Sequence, residues 1–132
     1  LGGALADLAE RHPRPCLVAV LSDLLDPQGG QGAVGALGAK GYDVAIVQIL
    51  SPQELHVQWR GPRVLCDVES GRRRSLVLDD RLCQQYLHEL NRLRETWRSF
   101  CGAHQALFVT ASSATPFEEL ILHYLRSGGL LR

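Results

Sequence analysis

The chain has 132 residues, 45% hydrophobic and 21% charged, with 14 basic side chains against 14 acidic ones. That suits one soluble globular domain with a real core. Zero formal net charge leaves no general pull on nucleic acid or an anionic membrane surface, so such binding would need a local patch.

Residues 2–11, GGALADLAER, read as the end of a helix with Leu5, Leu8 and Ala9 on one face, broken by His12-Pro13-Arg14-Pro15. The run Cys16 to Leu21 lacks polar alternation, which predicts a parallel strand covered on both faces. Asp26-Pro27 marks a turn. Ala33, Val34, Leu37 and Ala39 give a weak helical stripe with Gly41 placed as C-terminal cap, and the interior glycines are expected to allow close packing on a sheet. YDVAIVQIL, residues 42–50, is a second strand, and strand–helix–strand at this spacing is a βαβ unit.

Ser51-Pro52-Gln53-Glu54 carries a cap, a first-turn proline and an acid at the third position, which predicts a short helical turn or a tight turn. Residues 59–62 read as loop. Residues 63–68 and 73–78 flank Glu69-Ser70-Gly71-Arg72 as a hairpin. A long helix runs from Asp80 to about Gly102, with Leu82, Tyr86, Leu90, Leu93, Trp97 and Phe100 inward and Arg92, Arg94, Glu95 and Arg98 outward. Residues 106–111 form a third apolar strand. Thr115-Pro116-Phe117-Glu118 is a capping box opening a last helix on Phe117, Leu120, Ile121, Tyr124 and Leu125, closed by Gly128-Gly129. This order predicts an α/β fold: one domain over residues 1–132, a three-layer sandwich on a mostly parallel sheet, with an inserted β-hairpin.

Cys16, Cys66, Cys83 and Cys101 show no CxxC spacing and read as reduced, partly buried thiols of a cytoplasmic domain. No apolar run approaches the roughly 18 residues of a membrane helix, and no signal peptide is legible. The chain starts at Leu1 and contains no methionine, so the expectation is a piece of a longer protein.

Ligands of open α/β sheets bind at the carboxyl ends of the strands, which singles out Ser22, Asp23 and Asp26. Asp23 could ligate Mg²⁺, act as a base or cap a turn. Hard cations want several oxygen ligands, and one acid with one hydroxyl is an incomplete cage. The glycines between 29 and 41 do not form a phosphate loop, because Lys40 is followed by Gly41 instead of Ser or Thr. Neither HExxH nor GxSxG occurs, and the five histidines are scattered. Arg72-Arg73-Arg74 reads as a solvated hairpin tip that protects a sheet edge. Trp59, in a polar loop, is a candidate partner anchor.

The order of "VLSDLLDP" (20–27), "LGAKGYDVAIVQILSPQEL" (37–55), "VLCDVESGRRRSLVLD" (64–79), "YLHELNRL" (86–93) and "PFEELILHYLRSGG" (116–129) resembles the C-terminal half of bacterial domain-of-unknown-function family 58. Its most specific part is Ser51, Pro52, Glu54 and Leu55 followed by Asp67, Glu69, Ser70 and Gly71. Proteins of that family carry a von Willebrand factor A-like domain. The resemblance implies a Rossmann-like second half with three adjacent parallel strands. It implies that Asp23 matches the third-loop Asp of a metal-ion-dependent adhesion site whose DxSxS loop is missing here, with Mg²⁺ a cofactor only in the intact domain. It implies partnership with a MoxR-type AAA+ ATPase in assembly or maturation of other complexes.

The resulting expectation is a non-enzymatic protein-interaction module using Ser22, Asp26 and Trp59 toward its partner. It includes no nucleic-acid binding, no membrane insertion and homo-oligomerisation through an unpaired edge of the strand at 16–22. The alternative is a divalent-metal-dependent hydrolase or phosphotransferase using Asp23.

Overall fold

The computed structural model of the chain describes residues 1–26, 29–67 and 70–120. Its elements run α1 (Gly2–Arg11), β1 (Leu17–Ser22), α2 (Gln31–Ala39), β2 (Asp43–Leu50), α3 (Pro52–Leu55), β3 (Gly61–Cys66), β4 (Arg73–Leu78), α4 (Asp80–Ala103) and β5 (Leu107–Ser112). Residues 117–120 are again helical. The remainder of the predicted last helix lies outside the described residues, as do Pro27 and Glu69.

Three strands form a parallel sheet in the order β1-β2-β5, and β3-β4 form a separate antiparallel pair. The register aligns Ser22 with Gln48 and Gln48 with Thr110, so these three share a row at the carboxyl end. Because side chains alternate across a strand, one face carries Val18, Val20, Val44, Ile46 and Phe108. That face packs against Leu5 of α1, Val34 and Leu37 of α2, and Trp97 and Cys101 of α4. On the opposite face Ala45, Val47 and Ala111 pack with Leu120. The result is an α/β sandwich with helices on both faces.

β1 departs from the predicted double coverage. Its residues alternate, with Val18 and Val20 buried and Leu17, Ala19 and Leu21 exposed. β2 sits between two strands and is buried on both faces, but β1 is an edge strand. Among the described residues nothing covers the outer half of its second face.

The turn from α2 to β2 is closed as the sequence suggests. Gly41, at φ +85°, donates to the Gly38 carbonyl, and Tyr42 donates to that of Leu37. This pair of bonds satisfies the helix's last carbonyls and requires a left-handed residue at Gly41. The interior glycines act differently from expectation. A side chain at Gly35 would meet the His104 ring at 3.4 Å and Phe100 at 3.5 Å, so Gly35 admits the end of α4, not the sheet.

In α4 the buried set is Cys83, Leu90, Trp97 and Cys101. Arg92 and Arg98 pair outward with Glu89 and Glu95 as expected of a solvated face. Arg94 is a correction: three residues before Trp97 and four after Leu90, it turns toward β5 and donates to Thr110. Phe117 is another correction, since it stays exposed while Leu120 packs. The cysteines divide: Cys83 and Cys101 are buried free thiols, Cys16 and Cys66 exposed ones. Burial pushes the Cys101 thiol from 9.0 up to about 11.

Candidate functional site

The loop after β1 answers what its polar residues do. Ser22 Oγ accepts from the Leu24 amide at 3.1 Å, and Asp23 Oδ1 accepts from the Leu25 amide at 3.1 Å. These are side-chain turns of the kind Ser and Asp form where a strand ends. They set Leu24 in the left-handed region at φ 59°, with its side chain only 3% exposed. Asp23 and Asp26 are exposed, and the Asp26 carbonyl accepts from Gly29.

The loop is also held from behind. Gln48 is fully buried. Its Nε2 donates to the Asp23 carbonyl at 3.0 Å, and its Oε1 accepts from Thr110 Oγ1 at 3.4 Å. Arg94 Nε donates in turn to Thr110 Oγ1 at 3.3 Å. No buried side-chain nitrogen or oxygen of the described residues lacks a hydrogen-bond partner, as burial requires. Sequence reasoning missed all three residues. The available signal was one polar residue inside each of two apolar strands.

The described residues do not assemble a cation cage at Asp23. One of its oxygens is already a turn acceptor. No group of three or more His, Cys, Asp or Glu converges among the described residues. Here Asp23 shapes the loop.

A different surface opens beside it. Leu25 lies on the wall of a groove of about 790 Å³, with Trp59, Leu65, Leu76, Leu82 and Tyr86 on the other sides. Four pieces of chain build it: the β1 loop, the segment 51–59, the β3-β4 hairpin and the first turns of α4. At Ser51 a reciprocal capping box opens α3. The Ser51 amide donates to Glu54 Oε2 at 2.7 Å, and the Glu54 amide to Ser51 Oγ at 3.2 Å. Arg60 Nε meets Asp80 Oδ1 at 2.7 Å, and its Nη1 donates to the Trp59 carbonyl at 2.9 Å. This clamp ties the Trp59 loop to the start of α4 and leaves the indole half-exposed. Burial first, and then the Glu54 carboxylate, push the Tyr86 phenol above its ordinary range.

Of the residues singled out from sequence, Trp59 therefore lines the groove, while Ser22 and Asp26 do not. The loop contributes Leu25 in their place. Arg73 and Arg74 belong to β4 itself, paired with Cys66 and Leu65, and only Arg72 lies in the hairpin turn.

These elements define an α/β protein with a parallel three-stranded sheet and a separate hairpin. A structural likeness exists to the crystal structure of the conserved hypothetical protein BatB from Bacteroides thetaiotaomicron, at TM-score 0.44 and 15% identity. It covers 98% of this chain and 58% of that one. No protein-family model and no curated protein matches the chain.

Proposed function

We propose that this chain is a protein-interaction module of the von Willebrand A-like type, related to family 58, that works with a MoxR-type AAA+ ATPase in assembly or maturation of other complexes. The reading is non-enzymatic and cytoplasmic. Among the described residues, no helix is long and apolar enough to cross a membrane. One observation carries the interaction role: Leu25, two residues beyond Asp23, lines the same apolar groove as the half-exposed Trp59. The strand-end loop, where α/β sheets present ligands, and an aromatic anchor thus form one surface.

The test is a pull-down with tagged protein containing this chain, wild type against Trp59→Ala and Asp23→Ala, with Mg²⁺ and with chelator. An AAA+ ATPase should be captured by the wild type and largely lost with Trp59→Ala. Loss with both Asp23→Ala and chelator would put a cation at Asp23, whereas indifference to both leaves Asp23 as a turn residue. Capture of no ATPase by the wild type overturns the reading.

Self-association belongs to the same proposal. The outer edge of β1 is unpaired among the described residues, and Leu17 and Leu21 stand 52% and 54% exposed beside it. Such an edge is a template for strand pairing. Light scattering should show a dimer that Leu21→Lys returns to monomer; a wild-type monomer at high concentration removes this part of the proposal.

A further inference from the structure

The β3-β4 pair is a two-stranded sheet whose outer edges are unpaired among the described residues. An isolated pair of strands is marginal in water and gains from a partner on its apolar face. Its two faces differ. The register opposes Arg63 to Leu76 and Leu65 to Arg74, so by the pleat these four share one side. Leu65 and Leu76 on that side line the groove. The groove side therefore alternates leucine with arginine.

The charges around it are unevenly satisfied. The acids beside the groove are engaged: Glu54 holds the Ser51 amide, Asp80 holds Arg60, and Asp79 caps α4 through the Leu82 amide. Arg63, Arg73 and Arg74 are exposed and form no ion pair with a described carboxylate. Arg14, Lys40, Arg72 and Arg81 likewise lack an ion pair with a described carboxylate, but Arg63 and Arg74 are the two that share the leucine-bearing face of the hairpin, across the groove from the Glu54 carboxylate held by the Ser51 amide.

We propose that the groove binds an extended acidic peptide segment of a partner protein, with apolar side chains alternating with Asp or Glu. The apolar set seats between the leucines and Trp59, and the carboxylates meet Arg63 and Arg74. Free backbone groups on a hairpin edge offer main-chain bonds to such a strand. Apolar walls from Leu25, Leu76 and Leu82 suit a peptide and offer nothing to a phosphodiester backbone. This inference rests on the interaction reading above and names the partner's chemistry.

The probes are labelled peptides of about ten residues with Leu at alternate positions and Glu, Ser or Lys between them. Binding is read by anisotropy against the full chain, and location by the emission of Trp59. The Glu peptide should bind about tenfold tighter than the Ser peptide, lose that margin at about 0.5 M salt, and shift Trp59 emission. The double variant Arg63→Glu, Arg74→Glu, shown folded by circular dichroism, should transfer the preference to the Lys peptide. Equal affinity for all three peptides, or a preference untouched by charge reversal, overturns the acidic class while leaving the interaction role standing. Displacement of the Glu peptide by an oligothymidylate, or burial of Trp59 in a dimer, overturns it in favour of nucleic acid or a second copy. If no peptide binds, this inference fails, and the Trp59-dependent pull-down separately decides the broader role.

Discussion

In β2 both faces carry buried apolar side chains, with Ile46 at 0% exposure on one and Val47 at 4% on the other. In β3 and β4, strands of similar length, Val64 and Val77 remain 63% and 62% exposed. Burying one such side chain fully is worth about 1.5–3 kcal/mol. The parallel sheet collects that stabilisation many times over, through α1, α2 and α4 on one face and Leu120 on the other. The hairpin leaves much of it uncollected. The difference teaches that this chain separates the surface that makes it stable from the surface that can still gain by contact.

Substitutions in the two regions should therefore behave unequally. Trp97, 2% exposed and edge-on to Phe100 at 6.1 Å, is the largest fully enclosed side chain. Trp97→Ala should cost about 3–5 kcal/mol in denaturant unfolding. A loss under about 1 kcal/mol would mean that the core is not centred there.

The cysteines repeat the comparison chemically. Cys101 lies in the core and Cys66 at the groove. Native-state alkylation near pH 8 should modify Cys66 and Cys16 first, with Cys101 slower by about a hundredfold or more because little thiolate forms there. Unfolding should make all four react alike. The same burial has a pH consequence. The folded thiol keeps its proton up to about 11, while the unfolded chain releases it near 9.0, so deprotonation favours the unfolded chain. Cys101 should make stability fall as pH rises from 9 toward 11, and Cys101→Ala should flatten that part of the profile.

Gln48 probes the boundary between core and loop. Gln48→Leu fills a similar volume but leaves the Asp23 carbonyl without the Gln48 donor and the Thr110 hydroxyl, which still accepts from Arg94, without its acceptor, at a cost of about 1–3 kcal/mol. Hydrogen exchange at the Leu24 and Leu25 amides should rise more than at β2. Unchanged exchange there would show that the Ser22 and Asp23 turns hold the loop without the glutamine.

The smallest effect belongs to the hairpin. Val64→Ala and Val77→Ala should each shift stability within about 0.5 kcal/mol. A loss of core size at either position would erase the contrast and make the hairpin part of the folded core.

Much of the fold was legible because its signals are local. The apolar runs of β1, β2 and β5, the stripe through Leu90 and Trp97, the Ser51–Glu54 box and the Gly41 stop each depend on neighbours within a few residues. The candidate site was less legible. Asp23 follows directly on the end of β1, as the apolar run before it implies, and Trp59 in its polar loop is half-exposed. Ser22 and Asp26 do not line the groove that Trp59 lines, because which side chains line a groove depends on elements distant in sequence.

The chain by itself determined where helices and strands form, since hydrogen-bond period and side-chain alternation are properties of consecutive residues. Tertiary structure alone decided which face of β1 stays open, that Arg94 turns inward to Thr110, and that Leu25 meets Trp59 across one groove. Those outcomes depend on burial between segments tens of residues apart, and no local pattern encodes which segment will cover another.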